Sequence, residues 1–177
     1  EENMWEAQSI LREYEDSIVD REVENIKDNM SRREAIEKRW EALNDDASKD
    51  QRYSFYKNMY TSDASDLWNI YRTYLDKYNK FVKDLAEKNN ITIQEAKQTK
   101  EASDLYDNTL YPAYLNAIES DKKVRDLTKD HLEQQKEDLK NQYELTSDIA
   151  DLKYQIWEKT SGRESTDTEK DTMKLAF

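Results

Sequence analysis

Apolar residues in this chain return every three or four positions, the period of one face of an α-helix. Met4, Ala7, Leu11, Tyr14 and Ile18 make the first stripe. It steps by one residue to Val19, Val23, Ile26 and Met30, then resumes as Ile36, Trp40 and Leu43. Such a step is a coiled-coil stutter or a helix break. Ser31 with Glu34 offers a capping box for a break near 30, and Arg32 to Leu43 reads equally well as a continuation. The pattern predicts a helix over 1–43 with that question open. Asn44 to Ser48 are polar residues that compete with helical backbone bonding, and they read as a connector.

The next predicted helix, 51–88, is rich in aromatic residues. Tyr53, Tyr56 and Tyr60 lead, across Thr61-Ser62-Asp63 (a stretch able to interrupt the helix), to Trp68, Tyr71, Leu75, Tyr78, Val82 and Leu85. From Trp68 onward the spacing alternates between three and four, a heptad seam and the strongest local signal in the chain. Asn89-Asn90 ends that helix. Thr92 and Glu95 form a second capping-box candidate, with Ile91 and Ala96 placed as a hydrophobic staple. A long helix over 92–161 follows, kinked at Pro112, which lacks an N–H and crowds the carbonyl four residues back. Leu145, Ile149, Leu152 and Ile156 return to heptad spacing, beside Trp157. Gly162 sits at a C′ position, and Thr166 with Glu169 opens a further helix over 166–177. The expected fold is all-α: long antiparallel helices in a bundle with coiled-coil-like packing, forming one helical segment of a larger protein.

Composition supports that fold. One Gly and one Pro are too few for the tight turns that sheets require. Hydrophobic residues are 36% and charged residues 38%, so any core is thin. Four Trp, twelve Tyr and three Phe, many at helical spacing, argue against a disordered chain. The net charge of -12 repels nucleic acid, which binds chiefly through Lys and Arg, and direct nucleic-acid binding is not expected. The same acidity leaves an inhibitor that mimics DNA as a rival reading.

Chemistry is harder to find. A single glycine cannot build a phosphate-cradling loop. There is no Cys, and His131 is the sole histidine, with Thr128 where a Glu-x-x-His pair would need Glu. No catalytic residue, cofactor, metal site or small-molecule substrate is assigned, and an enzyme is not expected. No apolar run approaches the ~20 residues that span a bilayer. The residues proposed for packing or partner binding are Tyr53, Tyr56, Tyr60, Trp68, Tyr71, Leu75, Tyr78, Val82, Leu145, Ile149, Leu152, Ile156 and Trp157. Tyr suits either role, because its ring packs while its hydroxyl reaches water.

At the C-terminal end, Tyr143-Glu144-Leu145 leads through Leu152 to Tyr154-Gln155-Ile156-Trp157-Glu158-Lys159-Thr160. Gly162-Arg163, Glu169-Lys170-Asp171 and Met173-Lys174-Leu175 follow. These residues resemble a helical stretch of the tail tape-measure proteins of long-tailed phages and prophages of Gram-positive bacteria, and Ser17 to Glu22 share their flavour. The match covers about 35 residues well and the rest in texture; the aromatic density of 53–81 departs from it. The resemblance implies a structural segment that sets tail length by a fixed helical contour. It also implies self-association, contact with tail-tube proteins and chaperones, and a place in the virion tail or in the host cytoplasm during assembly. The other reading is a helical-bundle binding module, spectrin-like or from a bacterial surface protein, presenting the Tyr/Trp face to a partner.

Overall fold

A computed structural model describes residues 2–161 and Leu175. The chain is an all-α helical bundle, with no strand among the described residues. Helix α1 spans Glu2–Leu43, α2 Lys49–Asn89, α3 Ile93–Lys97 and α4 Lys100–Leu105; a π-helical turn covers Tyr106–Leu110 and α5 covers Tyr111–Ser161. Two compact units divide the chain, Glu1–Leu127 and Thr128–Phe177. Of the expected helix over 166–177 only Leu175 is described, as helical; the rest lies outside the described residues.

Helix α1 runs unbroken through position 30. Glu34 does not cap; it forms an i,i+4 ion pair with Lys38 at 3.5 Å. The reason lies in the buried face. Positions 12, 16, 19, 23, 26, 30, 33, 37 and 40 are each buried or half-buried, one uninterrupted run of alternating fours and threes. The apparent stutter arises because Arg12, Asp16, Arg33 and Glu37 occupy seam positions, whereas Leu11, Tyr14, Ile18 and Ile36 are exposed.

The connector is short and braced. Ser48 caps α2 with a full capping box, accepting from the Gln51 backbone N–H at 3.1 Å while its own N–H donates to Gln51 Oε1 at 2.9 Å. Helix α2 therefore starts at Lys49, ahead of the predicted 51, and passes through Thr61–Asp63 without interruption. Arg52 donates to the carbonyls of Asn44 and Asp45, both at 3.0 Å. Asn90 ends α2 in the left-handed conformation (φ 50°, ψ 47°), which Asn tolerates better than most residues.

The predicted helix 92–161 is divided. Thr92 caps only the single turn of α3, and Thr99 caps α4, accepting from the Ala102 N–H at 3.3 Å. The chain then takes a π turn, closed by a hydrogen bond from the Tyr111 N–H to the Tyr106 carbonyl. Pro112 sits just beyond. It has no N–H for the carbonyl of Asn108, and a wider turn relieves the crowding its ring would cause in a regular α-helix. Leu105 and Leu110 both pack in the core although five residues apart, a spacing that would turn them roughly 140° from one another in an α-helix.

In the first unit α2 is the central element, with two packed faces. Tyr56, Tyr60, Asp63, Ile70, Tyr74 and Lys77 lie along the face that meets α1. Trp68, Tyr71, Tyr78 and Val82 lie along the face that meets α3, α4 and the start of α5. Both pairings are antiparallel. Trp40 stacks on Phe55, Arg33 reaches Asp63, and Arg12 reaches Asp84. On the other face Tyr78 meets Tyr106 and Trp68 meets Tyr114, while Tyr60, at the edge of the α1 face, also lies under Lys123 of α5. Among the described residues Val82 is the largest fully enclosed side chain, so the core is as thin as the composition implies.

Candidate functional site

The α1–α2 seam holds the densest polar geometry in the first unit. Arg33 places its guanidinium between two carboxylates one helical turn apart on α2, reaching Asp63 at 2.9 Å through Nε and bonding Asp66 through Nη2. Burial alone would lower its pKa, but hydrogen bonds to Asp66 and Asp63 outweigh that and hold it above the ordinary arginine value. Four residues on, Glu37 is raised, first by burial and then by the carboxylates of Glu41, Asp63 and Glu34, with Lys123 pulling the other way. One turn further, Trp40 stacks face to face on Phe55, with centroids 4.1 Å apart and 6° between the planes. Tyr56 closes the cluster edge-on to Trp40 and donates its hydroxyl to Glu41. Burial, then that hydrogen bond, pushes the Tyr56 phenol up to about 12.

Toward the other end of the seam, α1, α2 and α4 border an open cleft of about 540 Å³. Ile18, Val19, Phe81 and Leu105 supply its apolar lining, and two of its cations pair across it. Arg12 meets Asp84 at 3.2 Å, and Lys77 lies 3.9 Å from both Asp16 and Asp20. The Arg12 Nε is buried without a hydrogen-bond partner. These ions hold α1 in register against α2. Among the described residues no group of three or more acidic or histidine side chains could hold a metal ion, and no helix is long and apolar enough to cross a membrane.

The residues singled out by sequence fall into three groups. Tyr53, with Lys57 over its ring at 5.6 Å, Tyr56 and Tyr60 sit in the first turns of α2; Tyr56 and Tyr60 pack ring to ring at 5.7 Å. Trp68, Tyr71, Leu75, Tyr78 and Val82 pack toward α4, the π turn and α5. There Trp68 donates Nε1–H to Asp121 at 3.0 Å, and Tyr71 lies 5.6 Å from Tyr114. Leu145, Ile149, Leu152 and Ile156 are exposed, whereas Trp157 is half-buried beside Tyr154, 6.2 Å between rings.

No known protein family, curated protein or solved structure matches this chain. Its own geometry is what speaks to function. Sequence reasoning passed over Arg33, Asp63, Asp66, Arg12, Asp84 and Phe55. One signal could have found two of them: extending the Val19, Val23, Ile26 and Met30 phase in both directions lands on Arg12 and Arg33, together with Asp16, Glu37 and Trp40.

Proposed function

We propose that this chain is a structural segment of a phage tail tape-measure protein, acting through helix packing and assembly. The observation that carries the reading is the continuous α1 seam, in which apolar residues and cross-helix ion pairs together fix one antiparallel register. A ruler needs a fixed length per segment, and a helix rises about 1.5 Å per residue. Because α2 runs back along α1, the pair contributes the length of one helix, roughly 60 Å, and locked register keeps that length constant. Trp68, Tyr71 and Tyr78 are engaged in packing inside the bundle, which favours this reading over a module that displays them to a partner.

The test is genetic and microscopic. In the phage or prophage that encodes the chain, residues 1–177 are removed in frame in one strain and duplicated in another. Tail lengths are then measured by electron microscopy. The expected result is shortening in the first and lengthening in the second, by equal amounts. Tails of unchanged length in both strains overturn the proposal.

A further inference from the structure

The cleft bordered by α1, α2 and α4 is more acidic than the chain that forms it. Six of its fourteen lining residues are Asp or Glu and three are Lys or Arg, against 40 acidic residues in 177 overall. Two of the three cations are already engaged, Arg12 with Asp84 and Lys77 with Asp16 and Asp20. Glu15, Glu22, Asp76 and Glu101 have no ion-pair partner among the described residues, and Lys80 is the lining cation left beside them. A concave surface of one sign with apolar walls concentrates counter-ions more than an open surface does. Ile18 and Val19 lie between Glu15 and Glu22 along α1, and Phe81 lies between Asp76 and Asp84 along α2. A ligand that matches this lining is cationic at its charged groups and apolar between them.

Shape narrows the class. The lining runs from Arg12 to Glu22 on α1 and from Thr73 to Asp84 on α2, roughly 15 Å of helix. About 540 Å³ over that length leaves a cross-section of about 36 Å². A helix about 10 Å across needs ~80 Å² and does not fit. An extended peptide is narrow enough, but its amide N–H and C=O groups need partners, and α1 and α2 have theirs bonded along each helix. A linear alkyl chain has the width and brings no amides.

The geometry points to a binding site for a linear aliphatic polyamine, with ammonium groups at Glu15, Glu22, Asp76 and Glu101 and methylenes along Val19, Phe81 and Leu105. The site stands whether or not the chain sets tail length.

In the test, the full chain is titrated calorimetrically with spermidine, spermine and a series of α,ω-diamines of four to ten methylenes, at an ionic strength of about 0.15 M. Saturable one-to-one binding of spermidine below about 10 mM is expected. At constant charge, affinity should rise about twofold per added methylene until the diamine spans the cleft, because a longer chain buries more apolar surface. Counter-ion attraction alone gives the reverse trend, since charge density falls with length. Glu22→Gln with Asp76→Asn and Glu101→Gln should weaken spermidine binding at least about tenfold. Glu13→Gln with Glu24→Gln and Asp28→Asn makes the same change of net charge away from the cleft and should alter it less than about twofold. Circular dichroism verifies that both variants keep their helix content. Acetylated, amidated tetralysine carries the same four charges as spermine and should bind at least about tenfold more weakly. No saturation with spermidine, affinity flat or falling with diamine length, equal losses in the two triple variants, or tetralysine binding as tightly as spermine would each overturn the proposal. The diamine series uses the unaltered chain, so it decides even where a variant unfolds.

Discussion

The two faces of α2 hold their partners by different means. Toward α1 the seam alternates apolar residues with ions: Val23, Ile26 and Met30 pack between the Arg12–Asp84 pair and the Arg33 fork. Toward α3, α4 and α5 the partner helices offer small side chains. Ala96, Ala102 and Ala117 are 0% exposed, while Tyr71, Tyr78, Val82 and Leu110 supply the bulk. Alanine lets two helices approach closely but says little about register, since any alanine fits any shallow groove. Ion pairs bind more weakly per contact but penalise a slip, because a shifted register leaves partly buried charges unpaired. One face therefore supplies close packing, and the other supplies alignment.

The sharpest way to break this contrast is to crowd the alanine face. Ala102→Leu should cost about 2–3 kcal/mol, since the added methylenes have no space in a well-packed seam. Urea melts followed by circular dichroism read that loss directly, and a cost near zero would show the face to be loose. On the ionic face, Arg33→Ala leaves Asp63 and Asp66 facing each other without their cation. The expected loss is about 1–2 kcal/mol in the same melts. The wild-type protein should lose part of this difference in high salt, because the fork is only partly shielded from solvent.

The smallest effect has the opposite sign. Glu37 has a raised pKa in the fold, by burial first and neighbouring carboxylates second, so the folded chain holds that proton more tightly than the unfolded chain. Its ionisation therefore costs stability. The cost appears as pH rises through the carboxylate range and is complete above the folded pKa. Glu37→Gln should raise stability at neutral pH by about 0.5 kcal/mol and change little near pH 3, where wild-type Glu37 is protonated. Melts at the two pH values separate this from a general packing change, which would act equally at both.

How much could be read from sequence differs between the same two faces. Trp68 to Leu85 announced itself because every seam position carries an apolar or aromatic side chain. The α1 seam was obscured because Arg12, Asp16, Arg33 and Glu37 interrupt it, and the α2 partners of Arg12, Asp16 and Arg33 lie 30 to 72 residues away in the chain, beyond the reach of a local pattern. Apolar spacing traced the stripe through Met4, Leu11, Tyr14 and Ile18, which the fold leaves facing solvent. Hydrophobic periodicity finds helices; it does not say which of two candidate faces a neighbour will take. The break at Gln98–Thr99 escaped for a related reason. Thr92 and Thr99 are both sound caps, and only the packing of Ala96 and Ala102 against α2 makes the chain use each of them.

The π turn at Tyr106–Leu110 gives the chain a place to absorb a change of length. It holds one residue more than an α-helical path between Leu105 and Tyr111 would need. Excising a residue there would tighten the turn into ordinary helix and leave the far end pointing as before. The same deletion elsewhere in α5 would swing every later side chain by about 100° and misalign whatever grips them. Evolution can therefore shorten the chain at this turn without re-phasing the helix beyond it.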